Sequence, residues 1–118
     1  MYDDVALRAM QLVRAVAPRS PLGLGTMLGA YEFYAGDSVE IVIVGDDSRD
    51  LVDAAHTNYV PSKVLIAAER PTDDDAQRIP LLEGRTEIRE ATAFVCRRGV
   101  CKLPVSDAKS MLEQIESP

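Results

Sequence analysis

At 118 residues, with 47% apolar and 27% charged side chains, the chain has the make-up of a soluble globular domain. Its net charge of −6 and scattered basic residues, densest at Arg97-Arg98, exclude a general phosphate-binding surface, so nucleic acid is not an expected partner. No apolar run approaches the roughly 20 residues that span a bilayer. "MYDDVALRAM" also lacks the basic start and apolar core of a secretory signal. For a complete chain this predicts a cytoplasmic protein with no membrane partner, whose two cysteines are free thiols.

Residues 4–17, "DVALRAMQLVRAVA", read as a helix. Arg8, Gln11 and Arg14 form a narrow polar stripe and the rest is apolar, the pattern of a helix covered on several sides. "PRSP" at 18–21 ends it. Residues 22–36 predict a second helix, weakened by Gly23, Gly25 and Gly29, which would allow close helix contact. Tyr31, Phe33 and Tyr34 are expected to pack between helices.

The character changes at Asp37. "VEIVIVGDD" at 39–47 is nearly continuous β-branched sequence, the signature of a strand covered on both faces as in a parallel sheet. A helix over 47–59 follows, capped by Asp47 or Ser48, with Leu51, Val52 and Ala55 inward. "KVLIAA" at 63–68 is a second buried strand, and the order strand, helix, strand predicts a right-handed parallel crossover. Thr72 or Asp73 caps a short helix before Pro80. "TAFVC" and "VCKLPV" predict a hairpin around Arg98-Gly99. A last helix starts near Ser106 and buries Ala108, Met111, Leu112 and Ile115. The expected fold is α/β: a small Rossmann-like three-layer domain over 37–118. It has a mostly parallel sheet and a C-terminal β-hairpin, and a helical segment over 1–36 precedes it.

The hairpin carries the chemistry. A two-residue turn at Arg98-Gly99 sets Cys96 opposite Cys101 at a non-hydrogen-bonded position, where a disulfide can form. A longer turn with Gly99 as a left-handed bulge pairs Cys96 with Val100 and separates the thiols. A primed two-residue turn needs positive φ at Arg98, so turn preferences leave both open. The pair is either structural, by the burial habit of free cysteine, or a redox pair whose thiolate Arg97 and Arg98 would favour. Two cysteines and the single His56 fall short of a zinc set, so no metal is expected. Gly45, Asp46, Asp47 and Ser48 follow a strand and open a helix, a place where α/β sheets bind ligands. One glycine is no phosphate fingerprint, and two aspartates repel phosphate, so a turn with a helix cap is the simpler account. Asp73, Asp74 and Asp75 could hold a hard cation, but consecutive carboxylates more often sit solvated at a helix start, which favours negative charge.

The order of these segments resembles the tail of the YyaL-like, spermatogenesis-associated thioredoxin-like family. The residues that carry the resemblance are 40–46, Tyr59, Pro61, Lys63, Val64, Gly84, Ala93, Val95, Cys96, Cys101, Pro104, Val105 and Asp107. The family's tails often hold an aromatic between the cysteines, where this chain has Arg-Arg-Gly-Val. The resemblance implies a longer parent: a thioredoxin-like domain, an (α/α)6 toroid related to sugar epimerases and glycosidases, and then this tail. Residues 1–36 would be the last toroid helices. It carries no catalytic residue and no cofactor onto this chain. The expected function is therefore a non-catalytic α/β module that packs on the rest of the parent and forms homo-oligomers when isolated. The alternatives are a thiol–disulfide module using Cys96 and Cys101, or a small-ligand binder using Gly45–Ser48.

Overall fold

β1 (Val39–Val44), apolar except for Glu40, is the central strand: β2 (Lys63–Ala68) lies on one side and β3 (Thr92–Arg97) on the other. Residues 1–117 are described by the computed structural model. The four-stranded sheet has the order β2-β1-β3-β4, with β4 the two-residue strand Val100–Cys101. β1 and β2 run parallel, Val39 opposite Lys63 and Val44 opposite Ala68, joined by helix α3 (Arg49–Thr57) as the crossover.

Each face of the sheet has its own core. On one, Val39, Ile41, Ile43, Ala93 and Val95 meet Leu51 and Ala55 of α3 and Met111 and Ile115 of α5 (Ala108–Glu116). On the other, Val42, Val44 and Phe94 meet Leu82, Leu81, Ile88 and Ala76, the last from α4 (Asp73–Arg78). The α/β class, the terminal hairpin and the two preceding helices are as expected.

The sheet is not mostly parallel. β3 runs antiparallel to β1, with Val44 opposite Thr92 and Glu40 opposite Cys96, and β3 and β4 are antiparallel too. The segment from β2 to β3 leaves and re-enters at the same end of the sheet, because Ala68 and Thr92 both flank Val44. It places Ala76 of the six-residue α4, Leu81, Leu82 and Ile88 on the Val42 and Val44 face, so it covers that face instead of returning to the start of β1.

Caps fix the two later helices. Thr72 and Asp75 form a reciprocal capping box on α4, and Asp107 accepts the Ser110 amide at 2.8 Å on α5. The Thr72 amide and hydroxyl hold the Asp75 carboxyl below its usual range, the Ser110 amide does so for Asp107, and the Arg70 guanidinium for Asp46. A depressed carboxylate adds stability above its unfolded pKa of about 3.9 and loses it as pH falls through the folded value. Stability should therefore drop with acid from about pH 4 downward. The double substitution Asp75→Asn, Asp107→Asn should flatten that limb in urea titrations at pH 2–5.

The preceding unit, Met1–Asp37, holds α1 (Tyr2–Val13) and α2 (Gly25–Ala35). α2 starts later than expected because Pro21–Leu24 forms a 3-10 turn, with Pro at its first position. The Tyr31 hydroxyl of α2 donates to the Met10 carbonyl of α1. Gly25 and Gly29 face open space rather than a packed helix. Among the described residues no helix is long and apolar enough to cross a membrane.

Candidate functional site

The hairpin makes the two-residue turn. Arg98 and Gly99 both have positive φ, 50° and 77°, as a type I′ turn requires. Arg97 then pairs with Val100 and Cys96 with Cys101. The Lys102 amide donates to the Val95 carbonyl at 2.9 Å, which leaves the cysteines at a non-hydrogen-bonded pair. Their Cα atoms are 3.9 Å apart and the sulfurs are joined as a disulfide. Free thiols were expected; the described residues hold none. Arg98 takes this conformation against its local backbone preference, with Cys96 paired to Cys101 and Arg97 to Val100 across the turn.

The two sulfurs have unlike surroundings. Cys96 is 1% exposed, whereas Cys101 lies on the exposed edge strand. By strand alternation Cys96 shares the Phe94 face with Val42 and Glu40. Glu40 stands directly opposite Cys96, and its Oε2 is buried without a hydrogen-bond partner among the described residues. Above that face, Leu82, Glu83, Gly84 and Arg85 form a type II turn. Glu83 has φ −59° and ψ 130°, Gly84 has φ 73°, and the Arg85 amide donates to the Leu82 carbonyl at 3.0 Å. The turn delivers Arg85. Its guanidinium lies 4.4 Å from the Phe94 ring centroid, Nη1 donates to the Leu81 carbonyl, and Nη2 lies 3.4 Å from Cys101 Sγ. The ring stacking and the carbonyl contact hold the cation beside sulfur.

Arg97, the nearer arginine in sequence, sends Nη2 to the Ile115 carbonyl at 2.6 Å on the opposite face. Lys102 likewise donates to the Gln114 and Ser117 carbonyls. The arginine on the sulfur is therefore one that sequence spacing did not single out.

The loop Gly45–Ser48 is built into the fold. The Gly45 amide donates to the Glu69 carbonyl at 3.1 Å and the Asp46 amide to the Arg89 carbonyl at 2.8 Å. The Asp46 carboxylate takes both Arg70 nitrogens at 2.9 and 2.7 Å. Those two amides are thus committed within the chain. Asp47 has φ 56° and Ser48 is buried ahead of α3 without a side-chain cap bond. Beside them a groove of about 350 Å³ is lined by Arg49, Asp53 and Glu69 among others. His56 is exposed on the last turn of α3.

Over an alignment of 95 positions that covers 75% of this chain, it is 34% identical to "Spermatogenesis-associated protein 20" of Homo sapiens and 30% identical to the Rattus norvegicus protein of that name. The chain belongs to the spermatogenesis-associated protein 20 family. The match spans 12% of the length of these relatives. No family profile and no solved structure matches the chain. The family resemblance read from the sequence thus holds.

Closing a loop with a sequence separation of 5 removes little unfolded-state freedom, about 2 kcal/mol by chain-entropy scaling. Reduction of this family member should lower its unfolding free energy by that amount and leave it folded. Urea midpoints with and without reductant measure the difference. Unfolding on reduction alone would show the bond to be an essential staple.

Proposed function

We propose that this chain is an accessory α/β module of a longer spermatogenesis-associated protein 20 family protein, packing on the rest of its parent. The observation that carries this is the match itself, which takes most of this chain and an eighth or less of each relative. Apolar side chains in the first unit support it: Leu22 is wholly exposed, and Tyr2 and Leu12 are more than four-fifths exposed. Scattered apolar exposure is ordinary, but such a density on one short helical segment suits contact with another surface. The toroid implied by the resemblance is the surface we assign to it. The chain alone should self-associate in sedimentation velocity, and should form a one-to-one complex with the remainder of the parent supplied as a separate polypeptide. A monodisperse monomer at millimolar concentration that ignores that polypeptide would sink this reading.

A second reading is favoured by the closed disulfide with one buried and one exposed sulfur. In it the hairpin cycles between dithiol and disulfide, in a cytoplasmic setting, with the parent's thioredoxin-like domain as the exchange partner. Its midpoint in glutathione buffers should lie among cellular dithiol carriers, roughly −120 to −270 mV. A midpoint below about −300 mV would mark the bond as structural.

A further inference from the structure

The two ends of the disulfide have unlike surroundings. Cys101 is exposed and accepts an N–H from the Arg85 guanidinium, which the Phe94 ring and the Leu81 carbonyl hold in place. Cys96 is buried and register-paired with Glu40, whose Oε2 is buried and unpartnered among the described residues. On β2 the residue level with Glu40 is Val64, and α4 presents Ala76 to this face. Arg97 and Lys102 bond to carbonyls of the α5 region on the other side. Arg85 thus contacts the Cys101 sulfur and Glu40 stands level with Cys96 on the same face.

On the basis of the redox reading, we infer that Cys101 is the sulfur that exchanges with an external disulfide, that Arg85 holds its thiolate, and that Glu40 takes the proton from Cys96. In the dithiol form the Cys101 thiolate attacks one sulfur of the external disulfide. A Cys101 mixed disulfide forms, and the other external sulfur leaves as a thiolate that water protonates. The Cys96 thiol passes its proton to the Glu40 carboxylate, and the resulting thiolate attacks Cys101 Sγ. The Cys96–Cys101 bond closes and the second external sulfur leaves as a thiolate. Two electrons pass from the protein dithiol to the external disulfide, and Glu40 returns its proton to solvent. The reverse direction runs through the same atoms, with protonated Glu40 donating to Cys96 as it leaves. Burial explains why Cys96 needs such a group: a thiolate forming out of water has no solvent proton acceptor beside it. Glu40 is a cross-strand neighbour on the same face, and opposed side chains in such a pair lie within reach of each other.

The test uses glutathione disulfide as the probe on the reduced chain. In Cys96→Ser the glutathione adduct should sit stably on Cys101, by peptide mass mapping. In Cys101→Ser the adduct at Cys96 should form at least about tenfold more slowly, as its burial dictates. Arg85→Ala should move the pH profile of Cys101 alkylation upward and slow it roughly tenfold near neutral pH, and Arg85→Lys should restore part of that rate. Glu40→Gln should leave formation of the Cys101 adduct unchanged, yet slow its resolution by Cys96 roughly a hundredfold. Glu40→Asp should keep part of the resolving rate, which a packing defect alone would not do. Adducts on Cys96, or wild-type resolution in Glu40→Gln, would overturn this inference and leave the redox reading standing. A reduced wild-type chain that forms no adduct at all would remove both.

Discussion

Gly45→Ala is expected to unfold the α/β unit. A Cβ at this position would lie 2.1 Å from the Glu90 carbonyl oxygen, 2.4 Å from its carbon and 2.8 Å from the Ala91 nitrogen. All three atoms are backbone, so no side chain can swing aside. The residue also has φ 101°, a conformation that a side chain disfavours in its own right. The close approach is structural: β1 ends here, and the next amide, Asp46, bonds to the Arg89 carbonyl and bridges the incoming segment at Glu90. Separating those backbones would break that bridge and the Gly45 bond to Glu69. We expect a loss of about 4 kcal/mol or more, a large share of the roughly 5–15 kcal/mol that holds an ordinary domain. Urea unfolding by far-UV circular dichroism measures it, and a change under about 1 kcal/mol would show the contact to be soft. Gly29→Ala gives the contrast. It is mid-helix in α2 with open space at its Cβ, so alanine should stabilise that helix by about 0.5–1 kcal/mol.

Leu82→Ala should cost about 3 kcal/mol, as a fully buried leucine facing Val42 and Val44. It should also disturb the hairpin chemistry, because Leu82 anchors the turn whose carbonyl holds the Arg85 amide. Met111→Ala provides the control. It empties a comparable volume in the opposite core, against α3 and the far face of the sheet, and should lose similar stability by the same cavity argument. Exchange at Cys101 should slow in Leu82→Ala and hold its wild-type rate in Met111→Ala at equal temperature below both midpoints. Equal slowing in both would mean that Arg85 is placed by global stability rather than by its turn.

Much of the architecture was legible because it is short-range. The run 39–44 is β-branched and apolar because a central strand has two buried faces, and that shows in any six-residue window. A cap at Thr72 or Asp73 was legible before the short helix, and Thr72 takes it, in a box with Asp75. The one charge inside "VEIVIV", Glu40, was also visible. Its meaning was not, since the sequence does not tell that Cys96 stands opposite. Arg85 carried no signal at all: it lies 16 residues from Cys101 and reaches it through a turn and a ring contact.

The amino-acid sequence by itself thus determined the element types, the two-sided burial of β1 and the family to which the chain belongs. Periodicity, caps and motif spacing act over a few residues, so they are written locally. Tertiary structure alone decided three things. One is the antiparallel course of β3, which apolar alternation does not distinguish from a parallel one and which follows from where the segment after β2 packs on the sheet. Another is the turn at Arg98-Gly99, where the pairing of Cys96 with Cys101 stands against a local backbone preference. The last is the unequal pair of sulfurs, because burial of Cys96 and delivery of Arg85 and Glu40 to the hairpin depend on which strands become neighbours once the chain has closed its long loops.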